Sequence, residues 1–494
     1  MLVAKMSVEL ALKNTLRCLF LICIGLVSGC ARFQPHPISP AQTAKQLESR
    51  RLDDAGLKSF LEKSLGHDLP VWPLPSWDLN SLTLAAFYFH PDLDVARAQW
   101  RVAEAGVKTA SARPNPSVSV TPGYDSQIPG NFSPWLVPVT FDIPIETAGK
   151  RAKRMVEARD SSKSAYWNLV TTAWQIRFGV RTSLLDLTVA RQRADFLGVL
   201  LASQQRIVKL LQQRFDAGEI SRPELTIAQI ALNKIWLDAS DAQTQSAVAR
   251  SRLAESLGIS VAALDDVNLT FDFSARAPDE LTSADARRIT LMGRSDILGA
   301  LADYAATEDD LRLQIAKQYP DLHLGPGYAW NNGNAGDSQW SLGLTLELPI
   351  LDQNQGPIAE AKARSELAAA QFTALQAQVI GEIDRAVTEW RVADEQLKIA
   401  NSMFGSEQQQ SKAVEAQRKA GEVDELDSES AELELENASL THLEGQVKFQ
   451  TALGALEDVL QRPADAIQAA MIATALTNIV QPPLQASAVR ENKP

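Results

Sequence analysis

The residues of this chain that are able to do chemistry are few and scattered. Its five histidines, His36, His67, His90, His323 and His442, show none of the close spacings that hold a metal. No phosphate-cradling glycine loop, dinucleotide fingerprint, zinc-protease helix or nucleophile elbow occurs. Composition excludes more: 48 Lys and Arg stand against 60 Asp and Glu, a net charge of −12, and no basic stripe suited to nucleic acid is present. The expectation is a protein that is not an enzyme, needs no cofactor and binds no nucleic acid. Two places keep chemical interest: the thiol of Cys30, and the charges around the Ala-Gly-Glu triplets at 217–219 and 420–422.

Around Cys30 the expected chemistry is acylation. Lys5, Lys13 and Arg17 precede a short apolar run from Leu19 to Val27, too short to span a bilayer and typical of a signal peptide. The run ends in Leu26-Val27-Ser28-Gly29-Cys30, which resembles the lipobox of bacterial lipoproteins, where the cysteine is lipidated and becomes the new N terminus. Residues 1–29 are then a signal peptide and 30–80 a lipidated N-terminal extension. Cys18 and Cys23 fall within the signal, so the processed chain would keep neither a free thiol nor a disulfide. Beyond the signal no run of 18 apolar residues occurs, so any bilayer crossing must use β-strands.

The elements that would position the two tips come in duplicate. His90-Pro91-Asp92-Leu93 is matched by Arg294-Ser295-Asp296-Ile297, and Pro122-Gly123-Tyr124 by Pro326-Gly327-Tyr328. Phe141-Asp142-Ile143-Pro144-Ile145 is matched by Leu346-Glu347-Leu348-Pro349-Ile350, and Ala217-Gly218-Glu219-Ile220 by Ala420-Gly421-Glu422-Val423. The offsets are 203–205 residues throughout, so the chain is a tandem duplication over 81–284 and 285–463, followed by a C-terminal tail, 464–494.

Each copy opens with a helical stretch, roughly 81–112 and 285–317, and continues into two period-two runs joined by a turn-rich loop. The strands are expected at about 116–126 and 135–145, then 321–331 and 339–350. Leu342, Leu344, Leu346 and Leu348, for instance, alternate with Ser341, Gly343, Thr345 and Glu347. Runs of about ten such residues suit tilted membrane strands. Pro114, Pro116, Pro144, Pro320 and Pro349 punctuate the strand ends, where no ladder N–H is needed. Trp135, Trp330 and Trp340, beside the loops, suit an aromatic belt.

Very long helices follow, the first over about 147–217. Leu187, Ala190, Ala194, Leu197, Leu201, Val208, Leu211 and Phe215 keep a coiled-coil period that only Gln204 interrupts. The period resumes at Leu225, Ala228, Leu232, Ile235, Ala239, Ala242, Ala249 and Leu253, and again at Ala431, Leu435, Ala438, Phe449, Ala452 and Leu456. His442 falls on this last seam and is expected to be a packing residue. Gly218 and Gly421 interrupt the pattern where a helix must stop and reverse, as the tips of antiparallel hairpins. Four membrane strands cannot close a barrel, and lipid forbids an open edge, so the chain must assemble with copies of itself; two copies give eight strands with an interior filled by side chains, three give twelve strands and a lumen.

Lipobox, tandem halves with two strands each, long helical hairpins and tip glycines together resemble the TolC-type outer-membrane factor family of tripartite efflux systems. The likeness spans residues 80–463. Within it, Glu146-Thr147-Ala148-Gly149-Lys150-Arg151 and Leu348 to Gly356 look most like the branch that serves heavy-metal exporters. The resemblance implies a mainly α protomer that closes as a homotrimer, with a 12-stranded barrel in outer-membrane lipid and an α-helical periplasmic tunnel. It also implies a passive exit duct, possible cargo including heavy-metal cations, docked to a periplasmic adaptor and an inner-membrane pump of the resistance-nodulation-division type. On the same ground Arg214, Ala217, Gly218, Glu219, Arg418, Ala420, Gly421 and Glu422 would contact the adaptor, and Asp424 and Asp427 would ring the tunnel mouth. Of the two acidic positions the family places past its second tip, Asp427 fills one and Ser430 stands at the other. The rival reading is a coiled-coil lipoprotein scaffold without a channel, which leaves the paired strands unexplained.

Overall fold

The computed structural model describes residues 33–479, apart from 125, 128–134, 276–278 and 332–337. It divides into two units, residues 1–49 and 50–494. The first contributes one exposed helix, α1 (Pro40–Glu48).

In the second unit α2 (Ala55–Leu65) precedes the duplication. The first copy then runs α3 (Leu79–Phe89), α4 (Pro91–Ser111), β1 (Ser117–Val120), β2 (Gly123–Tyr124), β3 (Trp135–Ile145), α5 (Lys150–Asp216) and α6 (Arg222–Leu257). The second runs α7 (Ala284–Gly293), α8 (Ser295–Ala316), β4 (Leu322–Asn331), β5 (Ser338–Leu346), α9 (Gln355–Ala420) and α10 (Glu425–Leu460). A last helix, α11 (Ala466–Ile479), lies in the stretch read as a tail; its Met471, Ile472 and Ala475 are buried in the same core as Leu57 and Leu61 of α2.

Local chemistry explains where the elements differ from the sequence expectation. The first helical stretch is two helices, because Pro91 cannot continue α3 and pushes His90 into an extended conformation (φ −70°, ψ 124°). His90 Nδ1 then accepts the N–H of Asp92 and caps α4. Arg294 makes the matching break between α7 and α8. The first strand is interrupted at Thr121-Pro122, yet β1 and β2 both pair with β3. The last strand stops pairing at Leu346, short of Pro349.

The sheet is antiparallel, in the order β1-β3-β4-β5, with β1 and β5 at its edges. Registers such as Val118↔Phe141, Ile143↔Leu324 and Leu324↔Leu344 put the apolar residues of all four strand positions on one face. The other face carries Ser117, Ser119, Thr140, Asp142, His323, Gly325, Gly327, Ser341, Gly343 and Thr345. Among the described residues no helix is long and apolar enough to cross a membrane.

Helix α5 has 67 residues and α9 has 66, about 100 Å each. Antiparallel pairing of α5 with α6 and of α9 with α10 makes two hairpins, and α5 lies against α10 to join them. The row is therefore α6-α5-α10-α9, with α6 and α9 outermost. Alanines on the seam let the backbones approach: Leu197, Leu200, Ala239 and Ala242 are buried together, with Leu433 and Leu440 against them. Gln204, the polar interruption, is buried and donates to the Ala228 carbonyl at 3.2 Å.

Both hairpins turn on the same device. Gly218 (φ +78°) and Gly421 (φ +77°) take the left-handed conformation, and the next N–H reaches back to the helix, Glu219 to Arg214 O and Glu422 to Gln417 O, each at 2.9 Å. The hairpins' far ends show how the copies have diverged. At Gly258 an added Cβ would meet His90 Cα and the Phe89 carbonyl at 3.0 Å. Its counterpart Gln461 carries a side chain, which accepts the Ser295 N–H at 2.8 Å. The first copy has Pro91 at the place of Ser295, with no N–H to satisfy.

Candidate functional site

Three layers along the protomer hold the functional groups: the sheet, the roots of the hairpins and their tips. On the sheet, the face formed by Val118, Val120, Phe141, Ile143, Leu342 and Leu344 is exposed along its length. Burying such a stripe in lipid is favourable by roughly 25 cal/mol per Å². At its loop end Tyr124 stacks edge-on to Trp135 (centroids 5.1 Å apart), and Tyr328 lies against Trp340 at 4.8 Å. All four rings share the parity of the apolar face, so an aromatic pair borders each half of it. The side chain of Trp330 lies outside the described residues. The eleven residues of β3 give a contour of about 33 Å, enough for an apolar band about 25 Å tall once tilted.

The strand-to-helix junctions are stapled. Arg154 pairs with Glu146 at 2.8 Å and donates to the Ala110 carbonyl, while Arg151 donates to the Ser111 carbonyl, so both finish the C terminus of α4. Lys150 and the Thr147 N–H converge on Asp321 at 2.8 and 2.9 Å, locking the root of α5 to the start of β4.

At the hairpin roots the structure brings together residues that the sequence reading did not single out. Arg177 and Arg181 of α5 meet Glu457 of α10 at 3.1 and 3.3 Å, all three buried. Arg181 also donates to the carbonyl and side chain of Gln450, and Glu457 accepts the Ala464 N–H. Every group of this clamp is paired, so it fixes α5 against α10 without leaving a stranded charge. The available signal was polar Gln450 and Glu457 beside the seam residues Phe449 and Leu456. Next to the clamp, burial pushes the Asp458 carboxyl up to about 6.

At the tips Ala217, Gly218, Glu219, Ala420, Gly421 and Glu422 are all exposed. The acids past the second tip have two tasks. Asp424 and Asp427 form a reciprocal capping box, in which the Asp427 N–H donates to Asp424 Oδ1 at 3.0 Å. Asp424 also pairs with Arg214 of the first hairpin. The Asp427 N–H, then the Arg214 guanidinium, hold the Asp424 carboxyl below the usual range. About two turns further up α5, Arg206 binds Glu429 at 2.8 Å and Glu432 at 3.5 Å. Arg418 and Lys419 pair with Glu415 at 2.9 and 3.4 Å and hold its carboxyl at about 2. Their position three and four residues after Glu415 on one helix makes that local pairing the easier one.

Among the described residues no three His, Cys, Asp or Glu side chains come together as a metal site. His442 stacks flat on Phe404 (5.0 Å, 6°) beside Asp195 and Phe196, and burial lowers its imidazole, as a packing residue requires. His323 Nδ1 lies 2.9 Å from Asp142 Oδ1 on the polar face of the sheet. Cys30 and the loop residues Asn131 and Asn334 lie outside the described residues.

Comparison with known proteins agrees with this layout. Over 284 residues the chain is 24% identical to the cobalt-zinc-cadmium resistance protein CzcC of Cupriavidus metallidurans, covering 57% of this chain and 65% of that protein. Over 314 residues it is 26% identical to the pyoverdine export outer membrane protein OpmQ of Pseudomonas aeruginosa, covering 58% and 64%. The matched stretches thus span just under two thirds of either relative. The crystal structure of the outer membrane protein VceC from Vibrio cholerae superposes with a TM-score of 0.62 at 18% identity, over 78% of this chain and 97% of that one, a likeness of fold. The profile described as outer membrane efflux protein matches residues 87–259 and 288–460, once in each copy. The chain belongs to the outer membrane efflux protein family, whose fold is that of channel proteins rather than enzymes.

Proposed function

We propose that the protein is the outer-membrane duct of a tripartite efflux system, a passive conduit that closes as a homotrimer. One observation carries the reading: the sheet and the row of helices each end in two unpaired edges. The sheet offers β1 and β5, and the helix row offers α6 and α9. An open strand edge cannot stand in lipid, so β5 of one copy pairs with β1 of the next. Exposed apolar residues mark the helical edges likewise, with Ile227, Ile230, Trp236 and Leu237 on α6 and Leu367, Val392, Ile399 and Met403 on α9. Edges of different composition make a head-to-tail contact, which closes a ring. Three copies give twelve strands, the smaller closures having interiors filled by side chains. A scaffold without a channel has no use for an exposed apolar sheet.

The barrel would sit in the outer membrane, tethered also by a lipid on Cys30, with the hairpins in the periplasm. The tip residues, from Arg214 to Glu219 and from Arg418 to Glu422, would seat a periplasmic adaptor that joins the duct to an inner-membrane pump of the resistance-nodulation-division type. Heavy-metal cations are the cargo we favour, because the junction segments 146–151 and 348–356 and the relative CzcC point the same way. The likeness to OpmQ supports an organic cargo as the second reading. Purified processed protein in detergent should have the mass of three copies and give stepwise currents in planar bilayers. A monomeric, non-conducting preparation would refute the proposal.

A further inference from the structure

The polar face of the sheet holds one imidazole, and its setting suits a passing metal ion. In the register His323 stands opposite Pro144 of β3 and Thr345 of β5, while Asp142 stands opposite Ser117 of β1. The intervening Phe141, Ile143 and Leu324 belong to the apolar face, so His323 and Asp142 share the face that lines the lumen if the sheet closes in lipid. Above His323 on the same strand and face come Gly325 and Gly327, with Gly343 opposite Gly325. Without side chains there, the imidazole stands clear of its neighbours. His323 and Asp142 keep side-chain exposures of 39% and 49% within the protomer.

Orientation is the second part of the argument. His323 Nδ1 lies 2.9 and 3.1 Å from the two oxygens of Asp142. Donation from Nδ1–H to that carboxylate leaves the lone pair on Nε2, the carboxylate–histidine arrangement in which a metal is taken by the other ring nitrogen. Asp321, two residues before His323, is committed to Lys150 and the Thr147 N–H. No third donor from the described residues completes a cage. A single imidazole with water in the other positions binds weakly, and weak binding is what a conduit needs at a station an ion must also leave.

We propose that His323, oriented by Asp142, is a low-affinity landing site for divalent transition-metal cations, one per chain, on the lumen side of the barrel near its junction with the helices. Imidazole favours zinc, cobalt, nickel or copper over magnesium and calcium. The proposal rests on the duct reading for its role in transit, while the binding itself can be tested without it. The alternative is a plain cross-strand bolt between β3 and β4.

The test is zinc titration of the full processed protein in detergent by calorimetry, with magnesium as control. Wild type should take up one more zinc per chain than His323→Gln, and Asp142→Asn should bind that zinc about tenfold more weakly or worse. Both variants are close in shape to the wild type, and a thermal melt read alongside shows that they are folded. Equal zinc stoichiometry and affinity in wild type and folded His323→Gln would overturn the site and leave the duct untouched. Zinc uptake that depends on His323 in a protein that never conducts would keep the site and sink its role in transit.

Discussion

Arg214, in the last turn of α5, pairs with Asp424, the residue that caps the start of α10, so the two hairpins are tied tip to tip. The pair joins copies of a duplicated unit rather than neighbours in sequence. Both partners are partly exposed, so the link is cheap to break and contributes little to folding. Higher up, the Arg177–Glu457–Arg181 clamp is buried and fully bonded. The two hairpins are thus joined by a buried clamp at the root and by partly exposed ion pairs, Arg206–Glu429 and Arg214–Asp424, towards the tip.

That contrast predicts distinct outcomes for the two ends. Arg214→Ala and Asp424→Asn should raise single-channel conductance or open probability while shifting trimer stability by less than about 1 kcal/mol. Glu457→Gln should instead lower folded yield, because it strips the shared carboxylate from a buried cluster and leaves the Arg177 and Arg181 cations behind. Conductance unchanged in both tip variants would place the constriction elsewhere.

Asp458 gives a pH dependence with a definite sign. Burial raises its carboxyl from 3.8 to about 6 in the fold. Between those values the folded chain holds a proton that the unfolded chain has released, so this group's contribution to stability falls as pH rises from about 4 through 6. Asp458→Asn should therefore stabilise the protein at pH 7.5 by about 1–3 kcal/mol, an advantage that shrinks at pH 5. Unfolding midpoints at the two pH values check this; an advantage independent of pH would show that ionisation is not the cause.

The anchor has its own prediction. Cys30→Ala should abolish palmitate labelling and slow signal removal, yet leave barrel insertion largely intact, since burial of the strands does not depend on a lipid chain. Labelling that persists in the variant would remove the lipidation proposal.

Much of this fold was legible because its signals are long. Duplication, heptad seams and tip glycines extend over hundreds of residues, and β3 fills the expected span from Trp135 to Ile145. Breaks set by a single residue were harder to place, such as those at His90-Pro91 and Thr121-Pro122, where proline chemistry overrides a continuous apolar pattern. Contacts between the copies were not legible at all. Arg214 meets Asp424 and Arg181 meets Glu457 only because α5 packs on α10, a pairing no local period encodes. The pairing of Arg418 and Lys419, by contrast, is local: Glu415, one turn away on their own helix, reaches them first.

Placement across the membrane tests the central claim most directly, through single cysteines labelled on intact cells with an impermeant thiol reagent. Asn131 falls in the sequence between β2 and β3 and Asn334 between β4 and β5, while Glu219 and Glu422 lie on the hairpin tips. The duct account predicts prompt labelling of the first two and none of the last two until the outer membrane is breached. Equal labelling of all four positions, or protection of the loops together with the tips, would contradict it.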